Sequence, residues 1–507
     1  MTNSRTKNVA LNAITSLFTQ VLMLFLNFIS RTIFIKTLGV EYLGVNGVFS
    51  NVLTILSFAE LGIGNAILYS LYKPLAEKNE QLLCSLMQLF KKIYRYIFII
   101  VLVLGLAMVP FLDLLVKDVP DVKENLTVIY LLFLFDTSIS YLYIYKQSII
   151  QADQKGYIVT TIHTVANVIK VIAQIVILYL THDFLLYLIS NIIFRIAGNL
   201  YCAYMSNKLY PYIKNKPLPL EKEKSKKIFN DIKSLAAYKF GSIILNSSDS
   251  IIISAMVSVR MVGYVSNYLL LVLACKNILS AVTNSFTASL GNLNATASQQ
   301  ETYNVFNKIF LITVWVFGLA SIGIIVLSKS FVTCWLGDEY LLNIFVVIAI
   351  VGEFYVAGIH TLESHYRYTM GFFKKGKVAP LLAAILNVIL SIYFCSLWGV
   401  VGVFIATSLA RILTLGIIDT IIIYKNGFNR NPLIYFIKNA MFILLFLFIG
   451  LLCYYCVSFV ELTSWFGFAI KLLIVVLIYN IIMILLFHKT KEFKEILTAF
   501  LSLVRKK

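Results

Sequence analysis

A row of polar side chains runs along one face of an otherwise apolar segment of the sequence. His163, Asn167, Lys170 and Gln174 follow one another at steps of four, three and four residues, which places them on one side of a helix. Lysine contacts phosphate oxygens through charge-assisted hydrogen bonds. Polar and charged groups inside an apolar span usually face a bundle interior or an aqueous cavity. The row therefore has the chemistry to hold a phosphate-bearing ligand.

Comparable polar rows occur in five further apolar segments, and basic side chains are over-represented in them. Within the apolar spans, eleven Lys and Arg residues stand against six Asp and Glu residues. A cationic cavity suits phosphate or pyrophosphate, because Lys and Arg bind the oxygens of these groups. We predict such a cavity, with the basic residues Arg31, Lys170, Arg195, Lys239, Lys276 and Arg411, and with His163, Asn167, Gln174, Asn191 and Asn246 as its polar lining.

The same residues also fit two structural roles. Polar rows join membrane helices through hydrogen bonds, and buried cations can be paired internally. Arg411 can pair with Asp419, and Lys239 has Asp249 ten residues further on. Glu60 and Asp249 are the most deeply placed acids, and each either binds a coupling Na⁺ or proton or neutralises a nearby cation.

Long apolar helices must hold these side chains in place. Of the 507 residues, 60% are hydrophobic and only 13% are charged, which excludes a set of water-soluble domains. Apolar runs of about 20 residues match the hydrocarbon thickness of a bilayer, whereas membrane strands would show short alternating segments. The sequence predicts an all-α integral membrane protein with fourteen spans: 9–35, 43–70, 93–115, 126–150, 157–180, 184–205, 234–257, 263–290, 306–328, 341–359, 378–397, 403–424, 433–457 and 465–487.

The basic residues outside the spans orient the chain. Segments on the side of the N-terminus hold 27 Lys and Arg residues and 10 acids, against 5 and 8 on the other side. Positive charge stays in the cytoplasm, so both termini are predicted to be cytoplasmic. Most of the formal net charge of +19 therefore only orients the protein. The remaining excess of five basic residues inside the spans points to a substrate.

The chain also contains an internal repeat. Gly44 and Gly263, which open the second and eighth spans, are 219 residues apart, and Gly156 and Gly376 are 220 apart. Six spans separate equivalent positions, so the repeats share one orientation, as in transporters whose substrate path lies between two halves. The predicted organisation is an N-terminal six-helix bundle (1–205), a basic cytoplasmic linker (206–233), a C-terminal six-helix bundle (234–424), and two extra helices with a basic tail (425–507). The linker is either a solubilising topology signal or a contact for anionic lipid headgroups.

Motifs of enzymes and metal proteins are missing from the sequence. The five histidines form no HxxxH or HExxH pattern, and no P-loop occurs. Cys453 and Cys456 lie in an apolar span without nearby histidines, which favours packing. We therefore expect no catalytic residue, no metal site, no cofactor other than a coupling Na⁺ or proton, and no nucleic-acid partner.

Three stretches near the N-terminus resemble a known family. They are RTIFIKTLGVEYLGVNGVF (31–49), LSFAELGIGNAI (56–67) and YSLYKPL (69–75). They resemble the start of the polysaccharide-transport (Wzx-type) family, which belongs to the multidrug/oligosaccharidyl-lipid/polysaccharide exporter superfamily. The resemblance is strong over about residues 28–75 and looser elsewhere. The matching motif positions are Arg31, Gly39, Gly44, Glu60, Gly62 and Gly64.

The resemblance implies both a fold and a function. The fold would be two six-helix bundles in a V-shaped, MATE-like arrangement around a central cavity. The function would be a flippase that carries undecaprenyl-pyrophosphate-linked oligosaccharide from the cytoplasmic to the outer leaflet of the bacterial cytoplasmic membrane by alternating access. A polysaccharide polymerase and glycosyltransferases would be its partners.

Two alternatives to a flippase remain from the sequence. One is a cation-coupled small-molecule or drug exporter of the same fold, and the other is a non-transporting membrane scaffold for glycosyltransferases. Buried net positive charge favours the flippase over the exporter. Deep polar rows argue against a scaffold, which needs no hydrated interior.

Overall fold

Long apolar helices make up nearly the whole chain. The computed structural model describes residues 2–60, 63–117, 121–215, 217–218, 222–285, 290, 293, 297–372, 375–376 and 378–505. In these ranges, twelve helices are long and apolar enough to cross a bilayer. The protein is therefore an all-α, multi-pass membrane protein, as the sequence predicts.

The chain divides into two compact units, Met1–Gly263 (unit 1) and Tyr264–Lys507 (unit 2). The helices of unit 1 are α1 Thr2–Leu38, α2 Val40–Leu56, α3 Ile63–Ala76, α4 Glu80–Met108, α5 Leu126–Ala152, α6 Gly156–Thr181, α7 Phe184–Leu209 and α8 Lys222–Met256. Helix α9 (Val259–Ser285) begins in unit 1 and continues into unit 2. The other long helices of unit 2 are α10 Gln299–Trp335, α11 Ile344–Thr369, α12 Ala379–Trp398, α13 Val400–Arg411, α14 Leu433–Ser458, α15 Trp465–Phe487 and α16 Lys491–Arg505. A short helix that carries Asp419, Ile417–Ile422, continues the direction of the chain between α13 and α14.

Several predicted spans differ from the helices observed. The span 93–115 begins thirteen residues earlier, at Glu80, as α4, and the span 306–328 is longer at both ends as α10, Gln299–Trp335. The span 43–70 is two helices, α2 and α3, because a 3-10 turn at Ser57–Glu60 interrupts it. The span 234–257 belongs to a longer helix, α8, whose lysine-rich first half makes it too polar to be among the twelve apolar helices. The span 341–359 continues to Thr369 as α11, so the segment predicted as a cytoplasmic loop starts ten residues too early.

The boundary between the units also lies later than the predicted linker. Helix α8 packs against α2 and α3, which assigns it to unit 1. The linker itself is short, because a 3-10 turn follows α7 at Pro211–Lys214 and α8 already begins at Lys222.

The two glycines that mark the repeat form one reciprocal contact in unit 1. A Cβ atom on Gly44 would overlap the carbonyl oxygen of Val259, and one on Gly263 would overlap that of Val40. Val40 and Val259 are 219 residues apart, as Gly44 and Gly263 are. Equivalent positions of the two repeats therefore contact each other crosswise. Small residues permit such close approach of membrane helices.

We expect Gly44→Ala to destabilise the protein by about 1–3 kcal/mol, the range for overpacking a tight contact. The added methyl group has no room, because its nearest neighbour is a backbone atom. Thermal unfolding in detergent measures the effect. Gly323→Ala is the matched control, since a Cβ there meets nothing within 4 Å. Equal melting temperatures of the two variants would contradict the prediction.

The extra C-terminal helices dock on α10. On α14, the Lys438 ammonium donates a hydrogen bond of 3.0 Å to the Asn307 amide oxygen of α10. On α15, the Lys471 ammonium donates one of 3.0 Å to the Ser330 hydroxyl of α10. Two basic residues of these apolar helices are thus bonded inside unit 2, and we assign them a structural role.

The last helix, α16, lies beyond the apolar helices and is held by two contacts. Phe493 stacks on Trp315 with ring centroids 5.9 Å apart, and the Lys308 ammonium lies 2.5 Å from a carboxylate oxygen of Glu495. The hydrogen bond from Lys308 lowers the pKa of the Glu495 carboxyl. This ion pair therefore weakens when the pH falls through that lowered pKa.

Candidate functional site

Two adjoining polar cavities lie inside unit 1. The first has a volume of about 370 Å³ and the second about 300 Å³, which is the size range of small-ligand sites. Asn191 and Arg195 of α7 line both cavities. Helices α5, α6 and α7 supply most of the polar lining, and α2 contributes Asn46, Ser50 and Thr54 to the first cavity.

Local sequence signals place these helices. The Asn125 side chain caps α5 by accepting from the Thr127 amide at 2.8 Å. The Asp183 side chain caps α7 by accepting from the Leu186 amide at 2.9 Å. Between α6 and α7 the chain turns at His182, which has a left-handed φ of 53°. This short connection makes α6 and α7 antiparallel neighbours and brings their polar rows to the same cavity.

Asp136 of α5 anchors the polar side chains of α7. One carboxylate oxygen lies 3.0 Å from Arg195 Nε, and the other accepts a hydrogen bond from the Asn191 amide at 2.8 Å. Asp136 is buried, whereas 45% of the Arg195 side chain is exposed. The contact between Nε and Asp136 therefore orients the Arg195 guanidinium group, while part of this side chain stays exposed to the cavity.

Lys170 adds a second cation to the same cavity. Within the described part of the chain it makes no hydrogen bond or ion pair, although it interacts electrostatically with both Arg195 and Asp136. Two cations thus share one carboxylate. The site has an uncompensated positive charge, which an anionic ligand would neutralise.

Amide and imidazole groups complete the second cavity. The Gln147 amide donates to the Asn199 side-chain oxygen at 3.0 Å, and His163 Nε2 lies 3.7 Å from Cys202 Sγ. Asn167 of α6 lines the same space. These groups offer donors and acceptors for the hydroxyl groups of a polar ligand.

The structure brings five of the predicted residues into these cavities and leaves two neighbours outside. His163, Asn167, Lys170, Asn191 and Arg195 line the second cavity. Gln174 is buried and donates to the Tyr187 carbonyl at 3.3 Å, a contact between helices. Arg31 lines neither cavity but interacts electrostatically with Tyr187, which lines the first.

The predicted residues of α8 lie elsewhere in unit 1. Lys239 interacts electrostatically with Glu60, which also bonds to the Tyr141 hydroxyl. Asn246 is exposed and bonds to its own helix at Ser242. Because α8 is continuous, Lys239 and Asp249 are about 15 Å apart along its axis, so the alternative that these two residues pair directly is wrong.

Two predicted basic residues belong to unit 2. Lys276 is exposed and lines none of the described cavities. Arg411 donates to a Glu353 carboxylate oxygen at 3.0 Å. Asp419 instead contacts His360 Nε2 at 3.1 Å and Arg367 Nε at 3.2 Å, so the alternative pairing of Arg411 with Asp419 is wrong.

Sequence reasoning left two important groups out of the predicted site. Asp136 stands in the middle of an apolar span, which is itself a signal of function. Glu363 was missed for another reason: it was assigned to a cytoplasmic segment, whereas it lies in α11 with 1% of its surface exposed. Among the described residues, no three His, Cys, Asp or Glu side chains converge on a possible metal position.

The fold is that of a helical membrane protein, and structures of known membrane proteins share it. No family model and no curated protein sequence matches the chain. Solved structures do match. The chain is similar to "Lipid II flippase MurJ, inward closed conformation", with a TM-score of 0.66 and 18% identity over 94% of this chain and 98% of the other.

Multidrug transporters show the same fold. An inward-facing MATE family transporter of the MOP superfamily matches with a TM-score of 0.60 and 12% identity over 80% of this chain and 96% of the other. The MATE multidrug transporter DinF-BH matches with a TM-score of 0.57 and 14% identity over 83% of this chain and 96% of the other. At these identities the similarity establishes only the fold. The class of substrate has to be inferred from the residues of the site.

Proposed function

We propose that the protein is a flippase for undecaprenyl-pyrophosphate-linked oligosaccharide, a repeat unit of capsule, O-antigen or a related surface polysaccharide. The observation that carries this proposal is the uncompensated positive charge of the unit 1 cavities, where Lys170 and Arg195 share the single carboxylate of Asp136. A pyrophosphate that crosses a bilayer needs such charges, because an unpaired anion is very unfavourable at low dielectric constant.

The other groups of the cavities fit the rest of this ligand. Amide side chains such as Gln147, Asn167 and Asn199 form hydrogen bonds with sugar hydroxyls in either direction. Many apolar side chains of the helices are exposed and would contact lipid, including the polyprenyl chain of the substrate. The name of one similar structure, a lipid II flippase, supports a lipid-linked substrate.

The remaining parts of the proposal follow from the sequence. The protein would work in the bacterial cytoplasmic membrane, with both termini in the cytoplasm, by alternating access of its cavity to the two leaflets. A polysaccharide polymerase and glycosyltransferases would consume and supply its substrate. It would act as a transporter and catalyse no covalent reaction.

Deletion of the gene tests the proposal directly. We expect undecaprenyl-linked sugars to accumulate in the cytoplasmic leaflet, because synthesis continues while transport stops. A leaflet-specific labelling assay of intact cells and inverted vesicles measures the distribution, and a plasmid copy of the gene is the control. Unchanged lipid-linked pools together with altered drug resistance would contradict the flippase.

A second candidate is a small-molecule exporter of the same fold. Asp136 faces the first cavity and is the type of group that binds a cationic drug. Both carboxylate oxygens of Asp136 are already engaged by Arg195 and Asn191, however, which favours the anionic substrate. Efflux of a cationic dye that depends on Asp136 and not on Lys170 would support the exporter.

A further inference from the structure

A buried cluster of charged side chains in unit 2 lies outside the cavities described above. Helix α11 carries His360, Glu363 and Arg367 on one face at steps of three and four residues. Asp419 contacts the first and the last of them, at 3.1 Å and 3.2 Å. Glu363 lies between these two contacts, and it interacts electrostatically with Asp419. The two carboxyl groups are therefore held close together.

Glu363 is the member of this cluster without a partner in the described part of the chain. It is 1% exposed, and neither of its carboxylate oxygens accepts a hydrogen bond from another described residue. A lone buried carboxylate is strongly unfavourable as an anion, and a second carboxylate nearby makes it more so. A bound proton removes both penalties.

The charges of the neighbouring residues balance without Glu363. Arg367 pairs with Asp419, and Arg411 pairs with Glu353. These two pairs are neutral, so an ionised Glu363 would leave one net negative charge in a buried place. One proton, on Glu363 or on the adjacent His360, restores neutrality.

The cluster is connected to space that can admit water. A cavity of about 220 Å³ reaches Glu363, and the Tyr355 hydroxyl and the Asn439 side-chain oxygen on its wall have no described hydrogen-bond partner. A cavity of this size with free polar atoms can hold water. The titratable and charged groups that line it or act on Glu363 are Tyr355, His360, Arg411, Asp419, Tyr424 and Tyr435.

The helix that carries Asp419 is irregular at this point. Two π-helical segments, Ile412–Gly416 and Ile423–Gly427, flank the turn that holds Asp419. Such segments are frequent at functional sites, because they place side chains where a regular helix would not. Gly416, on the first of them, lines the cavity next to Glu363.

We propose that Glu363, with Asp419 and His360, is a proton-binding site of unit 2 that takes up and releases one proton in each transport cycle. The proton moves between a carboxylate oxygen of Glu363 and water in the adjoining cavity, and no other bond changes. A proton fits better than a metal ion, because both oxygens of Asp419 already contact His360 and Arg367, and a second arginine, Arg411, lines the same cavity.

Infrared spectroscopy of the purified protein in nanodiscs tests the proton-binding part, which is independent of the proposed function. We expect a C=O stretching band of a protonated carboxyl group that persists at neutral pH. Glu363→Gln should lose this band, and Glu363→Asp should shift it. Glu495→Gln, a change of the same kind in the exposed helix α16, should keep it. Absence of the band from the wild type, or its survival in Glu363→Gln, would overturn the proposal.

The coupling to transport rests on the proposed function and has its own measurement. In proteoliposomes with a fluorescent polyprenyl-pyrophosphate-linked sugar, an imposed pH gradient should accelerate flipping by the wild type. Glu363→Gln should flip at the same rate with and without the gradient. A normal response of this variant would overturn the coupling. If the wild type flips no such lipid, the proposed function fails, while the infrared result still decides the proton site.

Discussion

We expect Lys170→Ala to lower the rate of the proposed lipid-linked glycan transport by about ten- to hundredfold and to leave the protein folded. One charge-assisted hydrogen bond contributes about 1.5–3 kcal/mol, and each 1.4 kcal/mol corresponds to about a factor of ten. Lys170 has no partner among the described side chains, so its removal exposes no orphaned group. The initial rate of flipping in proteoliposomes measures the loss, and size-exclusion chromatography checks the fold.

Two variants give this experiment its controls. Lys170→Arg keeps the positive charge and should retain much of the rate. Lys329→Ala removes an exposed lysine from α10, away from the cavities, and should behave as the wild type. Arg195→Ala should also impair transport, with a larger loss of stability, because it removes the one cation that contacts the buried Asp136 carboxylate directly among the described residues. Full activity of both alanine variants in the cavity would show that this polar row only packs helices.

We expect Arg367→Met to destabilise unit 2 by about 3–5 kcal/mol, the cost of breaking a buried ion pair by removing one partner. Asp419 is 0% exposed, and its carboxylate would keep only the contact with His360. Methionine fills a similar volume, so the change removes mainly charge and hydrogen bonds. Denaturant unfolding in detergent micelles measures the difference from the wild type.

A double variant separates the charge effect from packing. Arg367→Met combined with Asp419→Asn should recover much of the stability, because it no longer leaves an unpaired buried charge. The matched surface change is Lys308→Met, which breaks the half-exposed pair with Glu495 and should have a much smaller effect. Equal losses for Arg367→Met and Lys308→Met would contradict the argument from burial.

Part of the candidate site could be predicted because helical spacing is a local property of the sequence. The steps between His163, Asn167 and Lys170 put them on one face of α6 before any tertiary structure is known. Which helix this face meets is a long-range property. The contact of α5 with α7 through Asp136 and Arg195, 59 residues apart, has no local signal in the sequence.

The error at the tenth span has a clear physical origin. Hydropathy ended the tenth span at 359, because His360, Glu363 and Arg367 look like residues of an aqueous loop. In the folded chain, contacts with Asp419 take the place of water around His360 and Arg367. The helix can therefore continue to Thr369. Average hydropathy assumes that charges need water, and it fails where the fold supplies their partners.

The sequence by itself determined that this is an all-α, multi-pass membrane protein with an excess of basic residues inside its spans. It could do so because burial in a bilayer requires long apolar helices, whatever their arrangement. Only the tertiary structure decided which charges compensate one another. It paired Arg195 with Asp136, bonded Arg411 to Glu353, and left Lys170 and Glu363 without described partners. Electrostatic pairing depends on distances of a few ångströms between helices far apart in the chain, and only folding sets those distances.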